Sequence, residues 1–199
     1  DTYNITPDDR QIIGNTNPKH TGGLNLSAVY KNLDISLFFN WVYGNDVYNA
    51  NKIQFTTQWK KDYYNMLSVM SSANRFRYMD DAGNKITDME QLRTLNEKAT
   101  IWSPAMKIPV LHSWAIEDGS FLRLNNITIG YTLPTKWTKR VLINRCRVYC
   151  TVNNVFVWTK YSGFDPEVST CLSTPLTPGV DFSSYPKART FTLGANITF

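Results

Sequence analysis

The chain has 199 residues, of which 42% are hydrophobic, and its mean hydropathy is -0.33. Its net charge of +5 comes from basic residues scattered along the sequence. It therefore lacks the cationic stripe that nucleic-acid-binding proteins use, and no nucleic-acid partner is predicted. No apolar run approaches the ~18 residues of a transmembrane helix, although alternating transmembrane strands would escape such a search.

Two neighbouring segments near the N-terminus alternate strictly between apolar and polar side chains. They span 22–31 and 34–43, and the short connection between them predicts an antiparallel hairpin. Ahead of them, residues 1–10 have neither a basic start nor an apolar run, so no signal peptide is predicted there.

The long segment 44–120 that follows contains two candidate helices. Thr57 is predicted to cap a helix that runs to about Met70, because apolar residues recur there at helical spacing. Thr87 and Glu90 form a capping-box pattern at the start of a second short helix. The apolar stripes of these helices fit either a surface that contacts a binding partner or a loop packed against itself, and packing is the favoured interpretation.

Three further segments, 121–133, 145–158 and 189–199, repeat the alternation. About ten residues is the length of a tilted transmembrane β-strand, with apolar side chains toward lipid and polar ones toward a lumen. The polar residues predicted to line that lumen are Asn25, Ser27, Ser36, Asn40, Asn126, Thr128, Thr151, Asn153, Thr192 and Asn196.

The connections between these segments alternate between short and long. The connections 31–34 and 134–144 are short, whereas 44–120 and 160–188 are long, as in outer-membrane barrels with tight periplasmic turns and extended extracellular loops. Aromatic residues at strand ends fit an interfacial girdle: Tyr43, Tyr131, Trp137, Trp158, Tyr161 and Phe199. The predicted fold class is therefore all-β, an antiparallel transmembrane β-barrel segment whose long extracellular loops carry short helices.

Five strands cannot close into an antiparallel barrel, because two sheet edges would remain unpaired in lipid. Residues 1–199 are therefore expected to be the C-terminal piece of a larger barrel. A soluble carbohydrate-binding β-sandwich or a structural β-module is the alternative, since its strands could alternate in the same way. A sandwich would bury the apolar strand faces against a second sheet, whereas a barrel leaves them in one band toward lipid.

Six motifs carry a family resemblance that covers nearly the whole chain. They are NTNPKHTGG at 15–23, GNDVYNAN at 44–51, WAIEDGSFLRL at 114–124, GYTLP at 130–134, YSGFDPE at 161–167 and YPKARTF at 185–191. In this order and spacing they resemble the C-terminal barrel segment of SusC/RagA-type TonB-dependent transporters.

The resemblance implies an importer of the bacterial cell outer membrane, with a barrel of roughly 22 strands and an N-terminal plug. It also implies three partners: a TonB complex that engages a periplasmic segment, a SusD-like surface lipoprotein that lids the barrel, and an oligosaccharide or sometimes a peptide as cargo. The plug domain and the TonB-contacting segment are absent from 1–199. Energised transport is therefore expected of a complete protein and not of this piece.

Sugar binding typically uses aromatic faces and planar hydrogen-bonding groups, and the predicted outer loops contain both. For any single residue, packing within the loop or an interfacial position is the favoured interpretation. The best candidates for substrate-binding residues are Trp102, Trp114, Tyr161, Phe164 and Asp165.

Nothing in the sequence indicates an enzyme. Asp165 and Glu167 are two residues apart, but a glycosidase pair must flank a bond in a cleft, so Asp165 is predicted to set a turn before Pro166. His20 and His112 lack partners at metal-ligand spacing. No catalytic residue, metal or cofactor is predicted.

The last residue, Phe199, ends an amphipathic strand. This arrangement resembles the assembly signal by which the barrel-assembly machinery recognises its clients. An interfacial anchor is the alternative role of the ring, and the two roles are compatible. The barrel-assembly machinery and the lipid bilayer are thus further predicted partners.

Overall fold

The computed structural model describes residues 6–58, 65–105, 111–167 and 178–199. Within these ranges the strands are β1 (His20–Tyr30), β2 (Leu33–Tyr43), β3 (Asp46–Asn49), β4 (Ile116–Asp118), β5 (Phe121–Thr132), β6 (Arg145–Thr159), β7 (Val180–Asp181) and β8 (Thr190–Thr198). The α-helices there are α1 (Ala50–Gln54), α2 (Met89–Leu95) and α3 (Thr135–Thr138), and single 3-10 turns cover Pro7–Asp9, Ser68–Met70, Ser113–Ala115 and Lys139–Val141. None of the described helices is long and apolar enough to span a bilayer.

Five strands form one antiparallel sheet in the order β1-β2-β5-β6-β8. Because paired residues share a face and successive residues alternate, the sheet has a polar face and an apolar face. One register row crosses the polar face on all five strands: Ser27, Ser36, Thr128, Thr151 and Thr192. The adjacent row crosses the apolar face: Leu26, Leu37, Ile127, Val152 and Phe191. All ten residues predicted to line a lumen lie on the polar face.

The apolar face is exposed. Leu24 and Ile129 are each 47% exposed, and Leu193 is 81% exposed. A β-sandwich would bury such side chains beneath a second sheet. The exposed apolar face therefore favours a barrel segment over the soluble β-sandwich.

A β-bulge interrupts the regular alternation of β5. The register shifts between Leu124 and Asn126, so Asn125 has no partner residue on β6 and donates instead from Nδ2 to Asn40 Oδ1 at 2.8 Å. Arg123 and Asn126 are three positions apart and would lie on opposite faces of a regular strand. The bulge brings both side chains to the polar face.

The chain consists of two compact units. The sheet unit comprises Asp1–Val47 and Ile116–Phe199, and the loop unit comprises Tyr48–Ala115. The loop unit has a small core of its own, formed by Ile53, Met70, Ile101 and Ala115. In the sheet unit, the buried side chains of Val47, Phe121 and Tyr161 lie at the end of the sheet from which the long connections leave. A second, short described sheet has the order β4-β3-β7.

The helix predicted from Thr57 to Met70 is not found in the described residues. Residues 59–64 of that segment lie outside them, and its described remainder contains only the 3-10 turn Ser68–Met70. Thr57 donates its hydroxyl to the Ile53 carbonyl oxygen at 3.4 Å. Thr57 therefore contacts the end of α1, and the backbone amides that it was predicted to cap lie outside the described residues.

The second predicted helix exists as α2, but its cap differs by one residue. Asp88 is the N-cap, and its carboxylate accepts a hydrogen bond from the Gln91 backbone N–H at 2.8 Å. Thr87, the predicted cap, lies one position too early. A charged carboxylate is a stronger acceptor than a hydroxyl and attracts the positive end of the helix dipole, which explains the choice of Asp88.

Candidate functional site

The polar face of the sheet is the largest candidate site, and its side chains hydrogen-bond across the strands. Thr128 Oγ1 lies 2.9 Å from Thr151 Oγ1, and Asn126 Nδ2 donates to Asn153 Oδ1 at 2.7 Å. These groups are neutral hydroxyls and amides that carry more donors and acceptors than the cross-strand bonds use. They can therefore offer hydrogen bonds to a neutral polar surface.

An ion pair crosses the polar face near the end where the short turns lie. Arg147 of β6 donates from Nε to Asp34 Oδ1 at 2.9 Å and from Nη2 to Asp34 Oδ2 at 2.5 Å. The guanidinium passes over Gly130 of the intervening strand β5, where an added Cβ would lie only 2.3 Å from Nη2. Glycine at this position thus permits a bidentate pair between strands that are not neighbours.

A buried charge network lies at the opposite end of the same face. Arg123 is 1% exposed, pairs with Asp165 Oδ1 at 2.5 Å and donates from Nη1 to Asn154 Oδ1 at 2.6 Å. Glu167 Oε2 lies 3.5 Å from Arg123 Nε and 2.6 Å from Lys187 Nζ. The network attaches the segment 160–167 and Lys187, which precedes β8, to the strands β5 and β6.

Asp165 also forms the predicted turn, because its Oδ1 accepts the Glu167 backbone N–H at 2.9 Å. Sequence reasoning identified Asp165 but missed its partner Arg123. If β5 alternated regularly, Arg123 would lie on the apolar face with Ile127 and Ile129. The bulge moves it to the polar face. An arginine at a position that should face lipid was the one sign in the sequence that the alternation of β5 is interrupted near Arg123.

Tyr161 is buried and has a partner within the chain. Its hydroxyl donates to Asp181 Oδ2 at 2.7 Å, and burial together with the Asp181 carboxylate raises the pKa of the phenol far above its ordinary value. Glu117 accepts hydrogen bonds from the backbone N–H and the hydroxyl of Ser162, each at 2.8 Å. The predicted place of Tyr161 in an interfacial girdle is wrong, because the residue is only 6% exposed.

The loop unit brings two of the predicted aromatic residues together. Trp102 and Trp114 meet edge to face with ring centroids 5.1 Å apart, and His112 lies 4.5 Å from Trp102. Lys52 Nζ sits 4.0 Å from the centroid of Trp114. Burial and this ammonium group lower the pKa of His112.

The five candidate cargo contacts thus differ in their accessibility. Phe164 is 80% exposed, whereas Tyr161 and Asp165 are buried in contacts of the sheet unit. Contact of these residues with cargo stays a prediction. Among the described residues, no group of three or more His, Cys, Asp or Glu side chains could hold a metal ion.

The curated proteins that are similar in sequence to this chain include two TonB-dependent receptors of different organisms. The chain is 30% identical over 200 residues to TonB-dependent receptor P3 of Formosa agariphila, an alignment that covers 98% of this chain and 18% of that protein. It is 32% identical over 140 residues to TonB-dependent receptor SusC of Bacteroides thetaiotaomicron, which covers 66% of this chain and 13% of SusC. The chain therefore spans less than a fifth of the length of these relatives. No family model matches it.

Solved structures share the fold. The RagAB peptide importer in its open-open state is 26% identical, with a TM-score of 0.69 over 100% of this chain and 19% of that chain. The RagAB peptide transporter gives a TM-score of 0.72 with the same coverage at 23% identity, a likeness of fold alone. The predicted fold class, an antiparallel β-barrel segment, is confirmed. The relatives are named receptors and importers, in agreement with the prediction that the chain is not an enzyme.

Proposed function

We propose that this chain, which belongs to the SusC/RagA type of TonB-dependent transporters, forms part of the barrel wall of an outer-membrane nutrient importer. The two-faced sheet carries the proposal. Its exposed apolar face suits contact with lipid, and its polar face suits the lining of a passage or the support of a plug. In this arrangement the segments 44–120 and 160–188 lie outside the cell, and the turns 31–34 and 134–144 face the periplasm.

The cargo is an oligosaccharide or a peptide. Both present many neutral hydrogen-bonding groups, which match the hydroxyls and amides of the polar face. The peptide half of this range is supported by a similar solved structure, which is a peptide importer. A SusD-like lipoprotein would cover the outer loops, and a TonB complex would act through a part of the protein that precedes the barrel wall.

Cargo contacts are proposed for Trp102, Trp114, Tyr161, Phe164 and Asp165. Phe164 is the most direct test, because its ring is 80% exposed and can stack on a sugar ring or a peptide side chain. Phe164→Ala in the full-length protein is expected to weaken cargo binding several-fold without changing the amount of folded barrel. If wild type and Phe164→Ala bound oligosaccharides equally well and also bound peptides equally well, this role would be contradicted.

The importer role is tested by uptake in cells that carry or lack the full-length gene. Labelled oligosaccharides and labelled peptides are supplied separately, with and without an uncoupler of the proton gradient. We expect gene-dependent, uncoupler-sensitive uptake of one class. Uptake of both classes that is unchanged by deletion would contradict the proposed function.

Phe199 is proposed as an assembly signal. It follows β8 and is 81% exposed, so the ring is open to contact by an assembly factor. Phe199→Asp is expected to lower the amount of assembled full-length protein in the outer membrane several-fold. Phe199→Trp keeps an interfacial aromatic ring and serves as the control. Unchanged membrane levels of Phe199→Asp would rule out the assembly role.

A further inference from the structure

The short turns, the α3 region and the end of β8 form one end of the five-stranded sheet, which we call the turn end. It comprises Lys31 and Asn32, residues 133–144, and Phe199. Backbone hydrogen bonds join these pieces: the Thr132 N–H donates to the Asn32 carbonyl, and the Asn144 N–H donates to the Thr198 carbonyl, both at 2.8 Å. The turn end is therefore one continuous surface.

This surface is strongly cationic. Across the five strands and the two turns between them, Asp34 is the only acidic side chain, and it is paired with Arg147. Four exposed cations at the turn end form no ion pair with any described residue: Lys31, Lys136, Lys139 and Arg140. Most of the net positive charge of the chain is thus concentrated in one place in the fold, although it appears scattered in the sequence.

Large apolar side chains lie exposed among these cations. Trp137 of α3 is 62% exposed and Leu142 is 87% exposed. Tyr30, at the end of the apolar face, is 70% exposed, and Lys31 Nζ lies 5.2 Å from the centroid of its ring. An ammonium group beside an aromatic ring at the rim of a lipid-facing surface is the arrangement expected at a membrane interface, where the ring enters the headgroup layer and the cation meets the phosphates.

We propose that the turn end binds the headgroups of anionic phospholipids in the membrane leaflet next to it. The apolar face of β1 ends at Tyr30, beside Lys31 of the turn end, so a lipid whose tails cover that face brings its phosphate to the turn end. Each Lys or Arg near an anionic membrane surface adds to the electrostatic attraction between the protein and that surface. The cations and the exposed rings therefore select anionic lipids over zwitterionic ones.

The experiment uses the full-length transporter that contains this chain, embedded in bilayers of phosphatidylethanolamine and phosphatidylglycerol. The protein is extracted in mild detergent, and the phosphatidylglycerol that it retains is counted by native mass spectrometry. The test variant combines Lys136→Gln, Lys139→Gln and Arg140→Gln. The matched control removes the same charge from exposed positions of the loop unit through Lys85→Gln, Arg93→Gln and Lys98→Gln.

We expect wild type and the control to retain phosphatidylglycerol preferentially, and the test variant to retain roughly tenfold less. Equal retention by all three proteins, or an equal loss in both variants, would overturn the proposal. If the test variant fails to assemble, wild type alone decides: preferential retention that disappears at high salt supports the site, whereas no preference at low salt refutes it. Loss of cargo uptake with unchanged lipid retention would assign the cations to a periplasmic protein instead.

Discussion

The five-stranded sheet and the loop unit differ in what organises them. In the sheet, every strand is hydrogen-bonded to its neighbours. The register row through Thr128 is polar on all five strands, and the adjacent row through Ile127 is apolar on all five. In the loop unit, the described elements are α1, α2 and single turns, held around a few buried residues such as Ile53 and Ile101. The sheet is thus specified by a repeated period of two, and the loop unit by individual contacts.

The two regions also use charge differently. The sheet unit buries an ion pair, Arg123 with Asp165, whose side chains are 1% and 4% exposed. The loop unit has an exposed pair, Arg77 with Asp81, in which the Asp81 side chain is 92% exposed. Water screens the second pair and not the first, so the same kind of contact has unequal consequences for local stability.

The largest expected effect is that of Arg123→Met. The change leaves the Asp165 carboxylate buried without its partner, which costs about 3 to 5 kcal/mol of local stability. Hydrogen exchange of the backbone amides in 161–167 is expected to accelerate accordingly in the full-length protein.

Arg77→Met is the control for Arg123→Met, since it removes the same chemical group from the exposed pair of the loop unit. It is expected to change the free energy of local opening near Asp81, measured by hydrogen exchange, by no more than about 1 kcal/mol. Comparable effects of the two substitutions would show that the buried network does not hold the segment 160–167.

A smaller effect is expected for Tyr161→Phe. It removes the hydrogen bond to Asp181, which is 2% exposed, at a cost of about 1 to 3 kcal/mol near neutral pH. The folded chain keeps the Tyr161 phenol neutral because its pKa is raised, whereas the unfolded chain ionises it above pH 10.0. The contribution of this phenol to stability is therefore complete below pH 10.0 and decreases as the pH rises beyond it.

The difference in unfolding temperature between wild type and Tyr161→Phe should accordingly narrow above pH 10.0. The measurement follows heat unfolding of the full-length protein on both sides of that pH. A constant difference between the two proteins would contradict a buried, neutral phenol.

The smallest effect is expected in the loop unit, for Asp88→Ala. It removes the carboxylate that accepts the Gln91 N–H at the start of α2, which costs about 1 kcal/mol. Amide exchange within α2 should accelerate, while exchange in β5 and β6 stays the same. Asp88→Asn keeps a good cap and should behave like wild type, and if it were as damaging as Asp88→Ala, the cap would not be the cause.

The contrast between the regions also explains what sequence reasoning could and could not reach. Alternation over about ten residues is a long signal, and it located β1, β2, β5, β6 and β8 within two residues of their ends. A helix as short as α2 offers a single capping signal, so two adjacent acceptors, Thr87 and Asp88, could not be distinguished without the backbone geometry.

Candidate site residues were predictable only where local pattern decides their surroundings. The polar row that includes Thr128 follows from the period of two. The partners of Asp165 and Tyr161 could not be predicted from local pattern, because they are distant in sequence. Arg123 is 42 residues away from Asp165, and Asp181 is 20 residues away from Tyr161. The bulge at Asn125 positions Arg123 for its pair with Asp165, and Gly130 leaves room for the pair between Arg147 and Asp34. Neither feature alters the amino-acid composition of β5.

The most direct test of the two-faced barrel wall compares adjacent residues of β8 in the full-length protein. Thr192→Cys and Leu193→Cys are spin-labelled one at a time in lipid bilayers, after the native Cys146, Cys150 and Cys171 have been replaced by Ser. We expect the label at 193 to collide mainly with oxygen dissolved in lipid, and the label at 192 to collide mainly with a water-soluble nickel chelate. Equal accessibility of the two labels, or the reverse order, would contradict the assignment of the apolar face to lipid.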